Sequence, residues 1–340
     1  MPEKPNYPTI LQLMQGAPAT LEKKVLEGVI FDTPVISKLP SRVIKGIRYE
    51  QLVRTSLPLI SATPYNTGVR PNNINYRTID AKCYPYQGRV CIDKKLVHAE
   101  PEAAKRHTAD LMKANVRGAL ASLEMAIFYG KGLDQHGTLG LNDLIGNYMT
   151  RSMTGNNKER THGGASVWAL NLKEDMLHLV WGNSRTLAFS PQKEQDVPML
   201  TADGKPGMMP AFTWDFDFHA GLNQMDEFAT ARLVNESDAN PLTDKALAEL
   251  VNMFPSGHAP DVLVMTRATR QRLQQQRALS LSYIKKTSGS TPYADIPTDF
   301  EGLPIIVTDG LLVDETAEAL AALREKTEIT AEHDTNNLIR

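Results

Sequence analysis

The chain has 340 residues, 41% hydrophobic and 22% charged, with 37 Lys and Arg against 39 Asp and Glu. That composition fits a globular protein of about two domains with a sizeable core. The formal charge of −2 excludes a uniformly basic nucleic-acid coat and leaves room for a local basic surface. Two cysteines, Cys83 and Cys91, exclude a disulfide scaffold and fit a reducing compartment. No run of 18 apolar residues occurs, so no membrane span is expected. The first 16 residues, with Pro2, Pro5 and Pro8, do not read as a signal peptide. A chain made in the cytoplasm is expected.

Charge is unevenly placed. From Arg42 to Lys95 ten bases face three acids, whereas from Asp314 to Arg340 seven acids face three bases. A basic segment of one copy lying against acidic surface of another would set register and partner choice. The stretch from Tyr49 to Ile92 has strand character and no helical period. Its tip is turn-rich, from Thr63-Pro-Tyr-Asn-Thr-Gly68 to Pro71-Asn-Asn73. Few large apolar residues occur in it, so this excursion cannot build a core alone.

Glu100-Pro-Glu102 then reads as a helix start, with proline in the first turn and acids at the positive dipole end. Met112, Val116, Leu120, Leu123 and Ile127 make one apolar stripe on a helix of about 30 residues that stops at Gly130. Burying each of the five is worth about 1.5–3 kcal/mol, enough to fix the helix on a sheet. Lys105, Arg106, Lys113 and Arg117 mark its wet face. Four glycines between Phe128 and Leu141 announce tight backbone crossing.

Short strand-like groups follow from Val167 to Phe189, and Asp203-Gly204 with Pro206-Gly207 reads as a loop. Trp214-Asp-Phe-Asp-Phe-His219 alternates strictly, and Glu227 to Asn235 is expected to pair with it antiparallel. Thr243 caps a short helix, 261–265 is a buried strand, Thr266 caps a helix to about Leu279, and 303–308 is another strand. The order implies an α+β domain.

Signatures of catalysis are missing: no phosphate-binding Gly-rich loop with Lys, no G-x-S-x-G elbow and no H-E-x-x-H. Asp215, Asp217 and His219 project from one strand face at period two. Such a set can hold a divalent metal or serve a hydrolase or nuclease. The competing reading is the wet face of a half-buried strand, and it is favoured because no fourth ligand is evident. Arg267, Arg270, Arg272 and Arg277 surround their helix without aromatic interleaving, so a solvated or subunit-contact helix is favoured over a nucleic-acid surface. A basic nucleic-acid-binding role for Arg42–Lys95 is the third alternative.

The series of arm, basic β-excursion, amphipathic strut, Gly-rich exit and α+β domain resembles the major capsid proteins of tailed bacteriophages with the Hong Kong 97-type fold. Ala126-Ile-Phe-Tyr-Gly130 with Gly137-Thr-Leu-Gly-Leu141 is similar to the family's spine helix and exit. Pro260 to Arg270 with Leu273, then Phe300 to Thr308, resembles its axial-domain strand, helix and following strand. Trp214 to Leu222 with Ala231 to Asn235 is similar to the epsilon15-like short-tailed branch.

The resemblance implies an N-terminal arm (1–40), an extended basic β loop, the E-loop (41–97), a peripheral domain (98–155 and 213–236), an axial domain (156–212 and 237–312) and an acidic tail (313–340). Because the 213–236 pair precedes 237–312, a permuted strand order in the peripheral domain is expected. Arg54, Arg70, Arg77, Lys82 and Arg89 become candidate intersubunit contacts, and Met112, Val116, Leu120, Leu123 and Ile127 the packing of the spine. The implied product is a virion shell of hexamers and pentamers enclosing double-stranded DNA, with scaffolding, portal and possible decoration proteins as partners and no cofactor. Some relatives join a loop Lys to a neighbour's Asn. Lys82 with Asn336 or Asn337 is the conceivable pair here, but no matching motif is present, so a shell without crosslinks is expected.

Overall fold

The computed structural model describes residues 33–54, 62, 65–68, 75–133, 137–154, 164–173, 175–184, 187–200, 205–284, 294–316 and 318–322. In chain order it forms α1 (Pro34–Lys38), β1 (Ser41–Val43), β2 (Arg48–Arg54), β3 (Tyr76–Lys82), β4 (Tyr84–Asp93), α2 (Lys94–Ala99) and α3 (Pro101–Tyr129). Then come α4 (Leu141–Leu144), β5 (Thr150–Ser152), β6 (Ala165–Leu170), β7 (Leu177–Trp181), β8 (Ala188–Phe189), β9 (Lys193–Leu200) and β10 (Pro206–Gln224). The last are β11 (Thr230–Glu236), α5 (Asp244–Val251), β12 (Val262–Met265), α6 (Arg267–Ile284), β13 (Asp299–Phe300) and β14 (Leu303–Val307).

The spine helix α3 is the axis of the molecule. Proline at its first turn, Glu102 beside it and the apolar stripe act as expected: Val116, Leu120, Leu123 and Ile127 are fully buried and Met112 nearly so. Lys105, Arg106, Lys113 and Arg117 are exposed. At its end Gly130 takes φ +50°, and a Cβ there would stand 2.0 Å from the Gly140 amide nitrogen. Only glycine permits that crossing. The Asp143 carboxylate locks it by accepting from the Gly140 and Lys131 amides at 3.1 Å each.

Two sheets flank the spine. The first runs β1-β7-β10-β4, with β8 and β9 also paired to the long β10. The second runs β13-β14-β12-β6-β11-β5. Alternation along β6 serves two cores: Trp168 and Leu170 face the spine, and Val167 and Ala169 face a layer with Leu247, Leu250 and Leu273 of α5 and α6. The Thr243 and Thr266 hydroxyls cap α5 and α6, accepting from the Ala246 and Thr269 amides at 3.2 and 3.1 Å. β12, α6 and β14 make a parallel crossover.

One sequence expectation is corrected. The strand Trp214–His219 does not pair with 230–236. It belongs to β10, which pairs with β4 over ten residues, while β11 joins β5 and β6 in the other sheet. Every residue of β11 is buried, as suits an interior strand covered on both faces, and a short 3₁₀ turn at Glu227–Ala229 carries the chain between sheets. The basis for a permuted strand order therefore falls away. Residues 33–40, placed with the arm, contribute Val35, Ile36 and Leu39 to the core. Within 41–97, β1 and β4 lie in the first sheet, and β2 and β3 pair only with each other among the described strands.

Candidate intersubunit interface

β2 and β3 form a two-stranded ribbon in unbroken antiparallel register from Arg48↔Lys82 to Arg54↔Tyr76. Neither strand hydrogen-bonds to another described strand, and Leu52, Tyr76 and Ile47 at its root are more than half exposed. A ribbon with large apolar side chains open to water and no sheet partner is marginal alone. Between it and the 224–228 segment lies a cleft of about 390 Å³, lined by Val53, Arg77 and Ile79 on one side and Leu144, Met225 and Phe228 on the other. The root of the ribbon rests on the body, with Ala81 buried and the Tyr49 ring edge-on to His178 at 5.6 Å, while Leu52 and Tyr76 stay exposed.

The predicted basic contacts divide. Arg77 and Lys82 are exposed on β3. Arg89 lies outside the ribbon, on β4, where its guanidinium donates to Asp215 at 2.5 Å. Arg70 and the Arg54 side chain lie outside the described residues, as do most of the turn-rich tip, Asn336 and Asn337.

A second ribbon escaped the sequence reading. β9 pairs with the first part of β10 from Lys193↔Thr213 to Leu200↔Pro206. Residues 193–196 and 198 are exposed, and Met208 on the other strand is 71% exposed. The signal was present: Asp-Gly flanked by extended apolar stretches is a strong hairpin cue. Prolines 198, 206 and 210 obscured it by reading as loop.

Two of the three residues on this face of β10 are engaged within the chain. Hydrogen bonds and charge from Arg89, then Lys193, hold the Asp215 carboxyl below its usual range. Two cations already occupy that carboxylate. His219 instead lies 3.2 Å from the Asn183 side-chain amide. Among the described residues no group of three His, Cys, Asp or Glu is placed to hold a metal. Two of the four arginines of α6 are similarly engaged within the chain: Arg272 with Glu236 and Asp238, and Arg277 with Asp244. Changing Asp215 and Asp217 together to Ala is expected to leave particle yield unchanged within about twofold, since exposed ion pairs contribute at most about 1 kcal/mol. A yield assay by sedimentation checks this.

Sequence reasoning also missed a buried ionic knot where the spine meets the chain after β14. Arg232 and Glu315, both under 5% exposed, form an ion pair. Arg232 also donates to Ser166 at 3.0 Å and to Asn142, with its guanidinium 5.0 Å from the Trp168 ring centre. The Tyr129 hydroxyl donates to Glu315 at 2.7 Å and accepts from the Leu312 amide at 2.8 Å. Glu315, counted with the acidic tail, is therefore an interior charge.

A long helix between two sheets, with ribbons whose Leu52, Tyr76 and Met208 are exposed in the single chain, fits a shell-forming subunit. The comparisons agree with that class. The model of the family "Major capsid protein GP7" matches residues 42–319, and the chain belongs to that family. It is a major capsid protein of a tailed bacteriophage, with a Hong Kong 97-like fold. A chain of the near-atomic structure of bacteriophage Epsilon15 superimposes with a TM-score of 0.59 at 15% identity, over 82% of this chain and 87% of that one. The procapsid of bacteriophage JBD30 gives 0.47 at 10% identity, over 88% and 99%. No curated protein matches the sequence. No described helix is long and apolar enough to cross a membrane.

Proposed function

We propose that this capsid subunit tiles into hexamers and pentamers of an icosahedral shell around double-stranded DNA, and that both ribbons are its overlaps onto neighbouring copies. The observation that carries this is the β2–β3 ribbon, whose Leu52 and Tyr76 stay open to water in the single chain. Lysines and arginines on it would meet acidic surface on the adjacent copy, giving register more than raw affinity. The β9–β10 ribbon would supply a second contact, with Met208 as an adaptable apolar side chain. Within this reading, 48–82 is the E-loop, and the spine with the first sheet is the peripheral domain. The second sheet with α5 and α6 is the axial domain. Assembly in the host cytoplasm would use a scaffolding protein and a portal, with a decoration protein optional. Packaged DNA would touch the inner wall only through non-specific charge, because a strongly basic wall would hold it by counterion release.

Sedimentation velocity and negative-stain imaging of the purified full chain test the proposal. Capsomers, sheets or shells are expected. Compact single molecules at high concentration, with 48–82 protected from exchange, would overturn it.

A further inference from the structure

We propose that Glu124 is a proton-operated latch: as a neutral carboxyl it lets the 308–316 strap and α1 close over it on the spine helix, and its ionisation in that buried seat loosens both. The inference goes beyond the tiling proposal and does not depend on it. Glu124 points inward from α3 and is 2% exposed. The Thr308 hydroxyl donates to its Oε1, while Oε2 is buried with no hydrogen-bond partner. Thr308 also accepts from the Gly310 amide at 2.9 Å, closing the strap on itself above the carboxyl. Gly310 is seated so closely that a Cβ there would come 2.9 Å from Glu124 Cγ. One turn further along α3, the Tyr129 hydroxyl holds Leu312 and Glu315 of the same strap, with Arg232 balancing Glu315.

The groups that face Glu124 are therefore few. From the strap they are the Thr308 hydroxyl and the Asp309 carboxylate, and from α1 the Val35 backbone amide. Asp309 adds negative charge, so the strap brings no cation to offset an ionised carboxylate. Burial is the largest influence and raises the Glu124 pKa from 4.5 to about 7. The sign follows from linkage: the closed strap binds the proton more tightly than the open one. Closure is thus strongest below about pH 4.5 and is lost as pH rises through about 7. Because α1 continues toward the N-terminus and the strap toward the C-terminus, one carboxyl sets the anchorage of both.

Hydrogen exchange on the full-length protein tests this. Corrected for intrinsic rates, protection of the Gly310 and Leu312 amides should fall about tenfold from pH 6 to pH 8. In Glu124→Gln it should not change with pH. A flat wild-type profile, or an unchanged slope in Glu124→Gln, would overturn the latch. Thr308→Val provides a second reading that does not need the first variant to fold. It removes the hydrogen bond that favours the ionised form, so the midpoint of the pH profile, read at the Leu312 amide because the substitution also takes away the acceptor of the Gly310 amide, should move upward, and an unmoved midpoint counts against the proposal.

Discussion

Replacing Arg232 by Ala should destabilise the subunit by about 3–5 kcal/mol, more than any other single side-chain removal considered above. The reason is what it leaves behind. Glu315 keeps hydrogen bonds from Tyr129 and Ser166, but its charge loses its only described ion-pair partner at a site 4% exposed. Asn142 loses its donor, and the Trp168 face loses the cation above it. Thermal unfolding should show a midpoint lowered by roughly 10 °C. Pairing the change with Glu315→Gln should recover most of the loss, because neutral Gln can accept from Tyr129 through its oxygen and donate from its NH2 to the Ser166 hydroxyl, which no longer receives Arg232. If the double variant is as unstable as Arg232→Ala alone, the cost lies in lost packing and not in the orphaned charge. The knot joins the spine, the second sheet and the strap, so its failure should also open the 308–316 segment.

The spine was readable in the sequence because five apolar residues hold one helical stripe without interruption and Gly130 ends it in a conformation only glycine takes freely. The β2–β3 ribbon was readable from the opposite cue, a shortage of large apolar residues over a long extended stretch. Of the partners of β10, β9 left a cue in Asp203-Gly204, but β4 and β7 left none. The alternation of β10 shows two faces, but which distant strand lies at each edge is settled by packing across the molecule, and the following strand in sequence, β11, is the wrong choice. The buried charges differ among themselves. Glu124 falls four residues after Leu120 and three before Ile127, inside the apolar stripe, so its position carried a warning. Glu315 and Arg232 carried none, since each sits in a stretch whose local pattern also suits the surface. Arg89 was misplaced because a run of bases was read as one surface, when the sheet separates β4 from the ribbon.

Replacing residues 51–79 with an Asn-Gly turn should leave a folded subunit that does not build shells. Glu50 and Asp80 are register partners, so a two-residue loop can join them in the geometry such turns favour. The body should hardly notice. The removed strands hydrogen-bond only to each other among the described strands, and Leu52 and Tyr76 are already 64% and 58% exposed. The unfolding midpoint should therefore stay within about 3 °C, as expected when no core contact is lost. Assembly is another matter. A standard intersubunit contact buries roughly 1,600 Å² in total, and deleting the ribbon removes the surface that would supply a large part of it. A loss of 1.4 kcal/mol per contact weakens each association about tenfold, and a closed shell multiplies that penalty over many copies. Particle yield should fall by more than tenfold, with the protein sedimenting as small species. Normal shells from this variant would mean that the ribbon's exposed residues meet water in the particle as they do in the single chain, and the overlap would have to be sought in β9–β10 alone.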